Sequence, residues 1–289
     1  MNEIVYLNGK LIPRRQARIS ALDYGFLYGY GLFETMRAYG GRVFRLDSHL
    51  NRLAQSARVL GISIEVLELK SAVMDTIQAN KLSEARIRLT VSIGEGEMTP
   101  DLSTCNRPTV LILAENYQPY PGRVYRKGFR AVVSNIRRNS QSPLSRLKST
   151  SYLESILARQ EARAAGVDEA LCLNEKGFLA EGSMSNIFLV ADGILKTPGY
   201  ESGILPGITR QTVLELAPKL GIDTLECDIR LDELFQAQEA FLTGSLIEVM
   251  PLTEIGGKLI GSGKPGSVTK RLMAAYRKLV LNEKGQFEL

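Results

Sequence analysis

The sequence predicts a mixed α/β (α+β) chain of two domains, and three observations carry this. The length of 289 residues allows one large or two medium domains, and 44% hydrophobic residues suffice for a sizeable core. Strand-like alternation and helix-like periodicity are interleaved along the chain. Near its middle, Asn116 to Arg123 breaks the pattern with two prolines and a glycine. We therefore expect a smaller N-terminal domain over 1–116, a linker over 117–123 and a larger C-terminal domain over 124–289.

In the first domain, Ile4 to Leu7 and Lys10 to Ile12 read as strands joined by Asn8-Gly9, a strong hairpin signal. Asp23 to Gly31 is rich in glycine and tyrosine and reads as a loop whose glycines let backbone approach a ligand. Leu32 to Arg37 and Arg42 to Leu46 read as strands. Asp47 is the expected cap of a helix with the apolar face Leu50, Leu53, Ala54, Ala57 and Leu60, ended by Gly61. Arg52 lies off that stripe, and His49 reads as a packing or capping residue. A helix over Glu65 to Asn80 and strands at Arg86 to Ile93 and Thr109 to Ala114 complete the domain.

In the second domain, a strand over Ala131 to Ile136 leads into a polar loop from Arg137. Ser151 and Glu154 have capping-box spacing for a helix with Tyr152, Leu153, Ile156 and Leu157 on its apolar face. Strands are expected at Glu169 to Leu173, Gly177 to Leu179, Asn186 to Val190 and Ala240 to Thr243. Short helical and hairpin patterns fall at Asp232 to Ala237 and Gly256-Gly257. An amphipathic basic helix covers Val268 to Val280. Leu205-Pro206-Gly207-Ile208-Thr209-Arg210 opens another helix, with Val213, Leu216, Ala217 and Leu220 in phase and Gly221 as its stop. A small residue, free amides and a hydroxyl at a helix start make an anion site, because the first N–H groups lack partners within the helix.

Composition narrows the functions. Against 31 acidic residues stand 36 basic ones, scattered and without a basic run, which argues against nucleic acid and suits a small anionic substrate. Three distant cysteines and one histidine leave no metal-ligand spacing, so no metal is expected. The N-terminal residues show no signal pattern and no apolar run reaches membrane-spanning length. We read a cytoplasmic protein with reduced, buried thiols and no membrane partner.

One thirty-residue stretch is more specific. Glu181, Ser183, Asn186, Ile187, Phe188, Leu195, Thr197, Leu205, Gly207, Ile208 and Arg210 fill every position of a pattern that resembles the class IV aminotransferases, the fold-type IV enzymes dependent on pyridoxal 5'-phosphate. The resemblance extends over nearly the whole chain. It implies a two-domain fold with the cofactor in the interdomain cleft, held mainly by the larger domain, and a homodimer. It implies Lys148 as the Schiff-base lysine and Glu181 as the partner of the pyridine nitrogen. Arg52, the Ile208 and Thr209 amides, the Thr209 hydroxyl and Ser245 would bind the phosphate. Leu205 would pack on the ring, beside Gly207, and Tyr152 would reach the ring hydroxyl. Lys148 lies between a loop and the expected helix start, where Arg146 and the helix dipole favour a neutral amine.

The branch within the family turns on fewer residues. Thr35 after Phe33-Glu34, and bulky Leu246 and Ile247 after Gly244, resemble 4-amino-4-deoxychorismate lyases, which release 4-aminobenzoate and pyruvate. The first expectation is therefore that lyase, with Thr35 and Lys148 handling protons. The alternative is a transaminase acting on branched-chain L-amino acids or D-amino acids, with 2-oxoglutarate or pyruvate as acceptor. Tyr30, Arg88 and Arg146 are candidate substrate contacts, with Arg86 and Arg137 further candidates for a carboxylate.

Overall fold

Alternation at period two dictates the first sheet. In the strand Ala85–Ser92, Ala85, Ile87, Leu89 and Val91 are fully buried, whereas Arg86, Arg88 and Thr90 face the other way. The computed structural model describes residues 3–285. Among them, six strands form this sheet in the order Lys10–Pro13, Ile4–Leu7, Thr109–Asn116, Ala85–Ser92, Gly31–Tyr39 and Arg42–Val43, each antiparallel to its neighbour. The helices Leu46–Val59 and Val66–Ala79 supply Leu50, Leu53, Ala57, Leu69, Val73 and Ile77 to the core on the buried face.

The chain divides into two compact units, one ending its main run at Gln118 and the other formed by Pro119–Arg146 and Tyr152–Asn282. The short stretch Leu147–Ser151, expected within the second domain, belongs to the first unit. Its backbone explains why. Leu32 and Ser149 form an antiparallel bridge, the Phe33 amide donates to the Lys148 carbonyl at 2.8 Å, and the Thr150 amide donates to the Gly31 carbonyl at 2.8 Å.

The second unit holds a larger mixed sheet. Its main order is Thr224–Glu226, Ile194–Thr197, Asn186–Ala191, Glu239–Gly244, Glu248–Ile255, Phe129–Arg138, Glu169–Asn174 and Leu179–Gly182, and Lys258–Leu259 pairs with Glu248–Ile255. Phe129–Arg138 runs parallel to both of its neighbours. The core includes Leu171, Ile187, Leu189, Leu242, Met250 and Ile255. Phe188 and Phe241 are directly paired across their strands and stack at 5.0 Å, both fully buried.

Several local expectations are corrected. The helix expected to be capped by Asp47 starts at Leu46, and the capping position is Arg45 in the left-handed region at φ 55°. The chain must turn sharply there after the two-residue strand Arg42–Val43, so Asp47 falls inside the first turn and pairs with Lys70 at 2.6 Å. Ser151 and Glu154 form no capping box: the helix runs over Leu153–Ala164 with Tyr152 as cap and no side-chain capping bond. Residues 148–150 are committed to the first sheet, so the helix can begin only after them. The expected Gly177 to Leu179 strand lies later, at Leu179–Gly182, because Asn174 and Gly177 close a turn ahead of it. Asp23 to Gly31 holds one helical turn, Tyr24–Leu27, with Asp23 accepting from the Gly25 amide at 2.7 Å. Of the three cysteines, only Cys172 is buried.

Replacing Phe188 by Ala removes one half of the buried stack, and we expect a loss of about 3–5 kcal/mol in unfolding free energy. Urea unfolding of the full chain checks this, and a change under about 1 kcal/mol would show that the two rings do not act as core.

Candidate functional site

The strand Gly31–Tyr39 presents chemistry on both faces. Leu32, Glu34, Met36 and Ala38 point to the helices, so a carboxylate sits in phase with apolar core residues. Glu34 is fully buried. Its Oε1 accepts from Arg52 Nε at 2.8 Å, and its Oε2 accepts from Arg52 Nη2 at 2.6 Å and lies 2.7 Å from His49 Nδ1. His49 and Arg52 are three residues apart on the helix Leu46–Val59, which places both over the strand. Burial pushes the Glu34 carboxyl upward, but Arg52 and His49 outweigh it and bring the group down to about 2. Burial lowers the His49 pKa in spite of Glu34, so the neutral ring donates through Nδ1.

The opposite face carries Phe33 and Thr35. Thr35 is directly opposite Arg88 in the neighbouring strand. The Arg88 guanidinium lies 3.9 Å from the centre of the Phe33 ring, and Lys148 Nζ lies 4.6 Å from it. Lys148 is half-buried, its backbone fixed by the bridge to the strand. The cation that shares its ring is Arg88. Arg146, expected in that role, is in the second unit and pairs with Glu201 at 3.1 Å on the surface. Tyr30 donates its hydroxyl to the Leu60 carbonyl at 2.8 Å and packs against the first core.

The second unit brings together most of the thirty-residue stretch. Glu181 lies on Leu179–Gly182, nearly buried, with Arg138 Nη2 3.0 Å from its Oε1. Oε2 accepts from the Leu205 amide at 3.1 Å and from Asn186 Nδ2 at 3.3 Å. The same Asn186 nitrogen donates to the Leu205 carbonyl at 2.9 Å. Asn186 thus ties the carboxylate to the segment that leads into the helix Ile208–Lys219. Gly207 is the cap of that helix, and a Cβ there would overlap the Asn186 amide oxygen. No side chain caps this helix and no acid lies in its first turn, so the Ile208 and Thr209 amides face an uncancelled positive end. Thr209 is buried.

Tyr152 is half-buried, and burial, followed by the charge of Glu181, raises its hydroxyl pKa. Burial would lower Arg138, but Glu181 holds it above its ordinary value. Ser245, Leu246 and Ile247 form the turn between the strands Glu239–Gly244 and Glu248–Ile255. Ile247 packs against the second core, and its carbonyl accepts from the Tyr125 hydroxyl at 3.3 Å. The Thr243 hydroxyl, two residues before Ser245, is buried and has no hydrogen-bond partner among the described residues.

Sequence reasoning misses Glu34 and Arg138 and gives Asn186 no task. Glu34 is visible as the charged residue in phase with Leu32, Met36 and Ala38. Arg138 reads as part of a loop, but the strand Phe129–Arg138 runs through it.

Comparison with known proteins gives a consistent picture. A family model described as amino-transferase class IV matches residues 31–255. A putative branched-chain-amino-acid aminotransferase of Methanocaldococcus jannaschii is 41% identical over 276 residues, 94% of this chain and 95% of that protein. The T.th. branched-chain amino acid aminotransferase, solved with pyridoxamine 5'-phosphate, superposes with a TM-score of 0.93 at 33% identity, over 98% of this chain and 95% of the other. The aminodeoxychorismate lyase of Bacillus subtilis is 34% identical over 290 residues, 98% of this chain and 97% of that protein.

The buried cluster sets an acid limit. Because Glu34 is depressed from 4.5 to about 2, its contribution is complete above pH about 4.5 and lost as pH falls toward 2. His49, held neutral, adds a loss that begins below its ordinary value of 6.5. We expect stability in urea to fall between pH 5 and 3 by about 2 kcal/mol more than in Glu34→Gln. Parallel curves for the two proteins would show that Glu34 carries no such linkage.

Proposed function

The chain belongs to the class IV aminotransferase family, and from that premise we propose that it is a transaminase for branched-chain L-amino acids with 2-oxoglutarate as acceptor. The observation that carries this is the likeness over nearly the full length to proteins named as branched-chain aminotransferases, in sequence and in fold. The lyase expected first from the sequence is supported by one weaker likeness. Part of its rationale also has another source: Ile247, half-buried, packs against the second core, so its bulk has a packing role in either enzyme. Thr35 lies beside Phe33 and Arg88 in either enzyme.

The cofactor is pyridoxal 5'-phosphate. The residues present suit it: an amine at Lys148, a buried carboxylate at Glu181, a guanidinium at Arg52, uncapped amides at Ile208 and Thr209, and hydroxyls at Ser245 and Thr243, the last lacking a partner among the described residues. When bound, the cofactor supplies a ring that accepts the electrons of the bond broken at the amino acid Cα. Glu181 would hold a proton on the pyridine nitrogen, with Arg138, Asn186 and the Leu205 amide keeping the carboxylate in place. Arg52, the two amides and the hydroxyls would bind the phosphate. Lys148 Nζ would take the proton from the substrate Cα and deliver it to the cofactor's aldehyde carbon, and Phe33 would offer an apolar wall beside that amine.

Of the candidate arginines, Arg88 is the one that shares the Phe33 ring with the lysine, so it is proposed to receive the distal carboxylate of 2-oxoglutarate. Arg86 lies near Glu115 at 3.6 Å, Arg137 donates to the Ser134 carbonyl at 2.6 Å, and Arg146 pairs with Glu201. A cytoplasmic homodimer is part of the proposal. It is supported by Phe26, Leu27 and Tyr28, exposed together on the first unit, with Phe26 at 76%.

The test supplies the cofactor-loaded protein with L-leucine, L-isoleucine or L-valine and 2-oxoglutarate, and follows glutamate. Turnover with these and none with D-alanine is expected. Release of 4-aminobenzoate with pyruvate from 4-amino-4-deoxychorismate, without leucine turnover, would return the lyase to first place. Lys148→Ala is expected to abolish turnover, and Glu181→Gln to lower it about 10²–10³-fold. Arg88→Met is expected to raise KM for 2-oxoglutarate while leaving that for leucine nearly unchanged; equal rises would remove Arg88 from carboxylate recognition.

A further inference from the structure

Two adjacent residues of one strand hold two distant-seeming parts of the proposed site. The Phe33 amide donates to the Lys148 carbonyl. Glu34, the next residue, grips Arg52 through the Nε–Nη2 edge of the guanidinium, with two parallel bonds of 2.8 and 2.6 Å. A side-on fork of this kind fixes the plane of the guanidinium as well as its position. Its other edge, Nη1–Nη2, is thereby directed away from Glu34. His49 in turn fixes the carboxylate, bonding Oε2 at 2.7 Å. All three side chains are at least nine-tenths buried, with Arg52 at 10% exposure.

We infer that Glu34 is a positioning residue: it locks Arg52, with His49 as its own brace, in the one orientation in which the guanidinium meets the cofactor phosphate. The inference rests on the proposal above that Arg52 binds that phosphate. Three physical points carry it. A carboxylate placed in the apolar face of a strand is costly and gains nothing for the core, where Leu89 is its direct cross-strand neighbour. An arginine side chain has many rotamers, and holding it ready before the ligand arrives removes that ordering cost from binding. The strand also sets the spacing between the backbone of the lysine and the arginine, because one rigid element bears on both.

The measurement compares apoprotein affinity for pyridoxal 5'-phosphate with that for pyridoxal, which lacks the phosphate, by absorbance or fluorescence titration. The ratio of the two reports phosphate recognition alone. Arg52→Met is expected to reduce the ratio strongly. Glu34→Gln, of equal volume but without charge, is expected to reduce it about tenfold or more, the scale of one charge-assisted hydrogen bond. In the Arg52→Met background, Glu34→Gln is expected to change the ratio no further. If both affinities fall together in Glu34→Gln, the residue is merely structural and the inference is overturned. If Arg52→Met leaves the ratio intact, the assignment of Arg52 to the phosphate fails instead. Glu34→Asp, which keeps the charge but shortens the arm, carries the same comparison should Glu34→Gln not fold. Its ratio is expected to fall as well, because the fork can no longer close.

Discussion

The pairing of residues 148–150 with the beginning of the strand Gly31–Tyr39 is the constraint from which the first half of the site follows. Lys148 is far from Phe33 in sequence, yet its backbone is bound as if it were a further strand of the first sheet. Backbone bonds of this kind leave a side chain little choice of origin, so the amine emerges at the Phe33 ring, which Arg88 also contacts. The following helix must then wait until Leu153, so the lysine does not belong to its first turn. The cation that shares the Phe33 ring with the lysine is Arg88 on the neighbouring strand.

The same strand shows how a buried charge is accommodated. Glu34 would be expensive in an apolar core by itself. It accepts bonds from Arg52 and lies against His49, and the summed attraction outweighs burial, since its pKa falls to about 2. Replacement of such a group by an apolar residue need not destabilise a protein. Stability is therefore a poor reason for its presence, and positioning of Arg52 is a better one. In the second unit Glu181 follows the same logic with different partners. Arg138 supplies the charge, and Asn186 and the Leu205 amide supply the direction. Asn186 also explains why the two ends of the thirty-residue stretch belong together. It bonds Glu181 and Leu205 at once, and it leaves no room for a side chain at Gly207.

How much of this was legible in the sequence depended on range. The hairpin at Asn8-Gly9, the helix from Ile208 and the burial of Val213, Leu216 and Ala217 follow from local periodicity and turn chemistry. Helix starts at Leu46 and Leu153 did not, because each is fixed by what the preceding residues bind in space: a left-handed turn at Arg45 and a sheet contact at 148–150. Candidate residues in the thirty-residue stretch were legible as a pattern, though not their mutual bonds. Glu34 could have been found by asking why a carboxylate keeps step with Leu32, Met36 and Ala38. Arg138 could not, since nothing in Arg137-Arg138-Asn139 tells a strand end from a loop.

The choice between elimination and amino transfer was hardest to read for a related reason. Both reactions need the same amine, the same carboxylate on the ring nitrogen and the same phosphate contacts, so the residues with the strongest sequence signals are common to both. What separates them is the shape of the substrate pocket, and pocket shape is set by side chains whose orientation depends on packing. Ile247 illustrates this. In the sequence its bulk invites a reading in terms of the ligand. In the fold, its half-buried side chain packs against the second core and its carbonyl accepts from Tyr125. A residue can inform on a substrate only once its other obligations are known, and those obligations are long-range. Arg88 is the converse case. It was one of several interchangeable arginines in the sequence, and the sheet register that places it opposite Thr35, over Phe33, is what singles it out for the carboxylate role we propose.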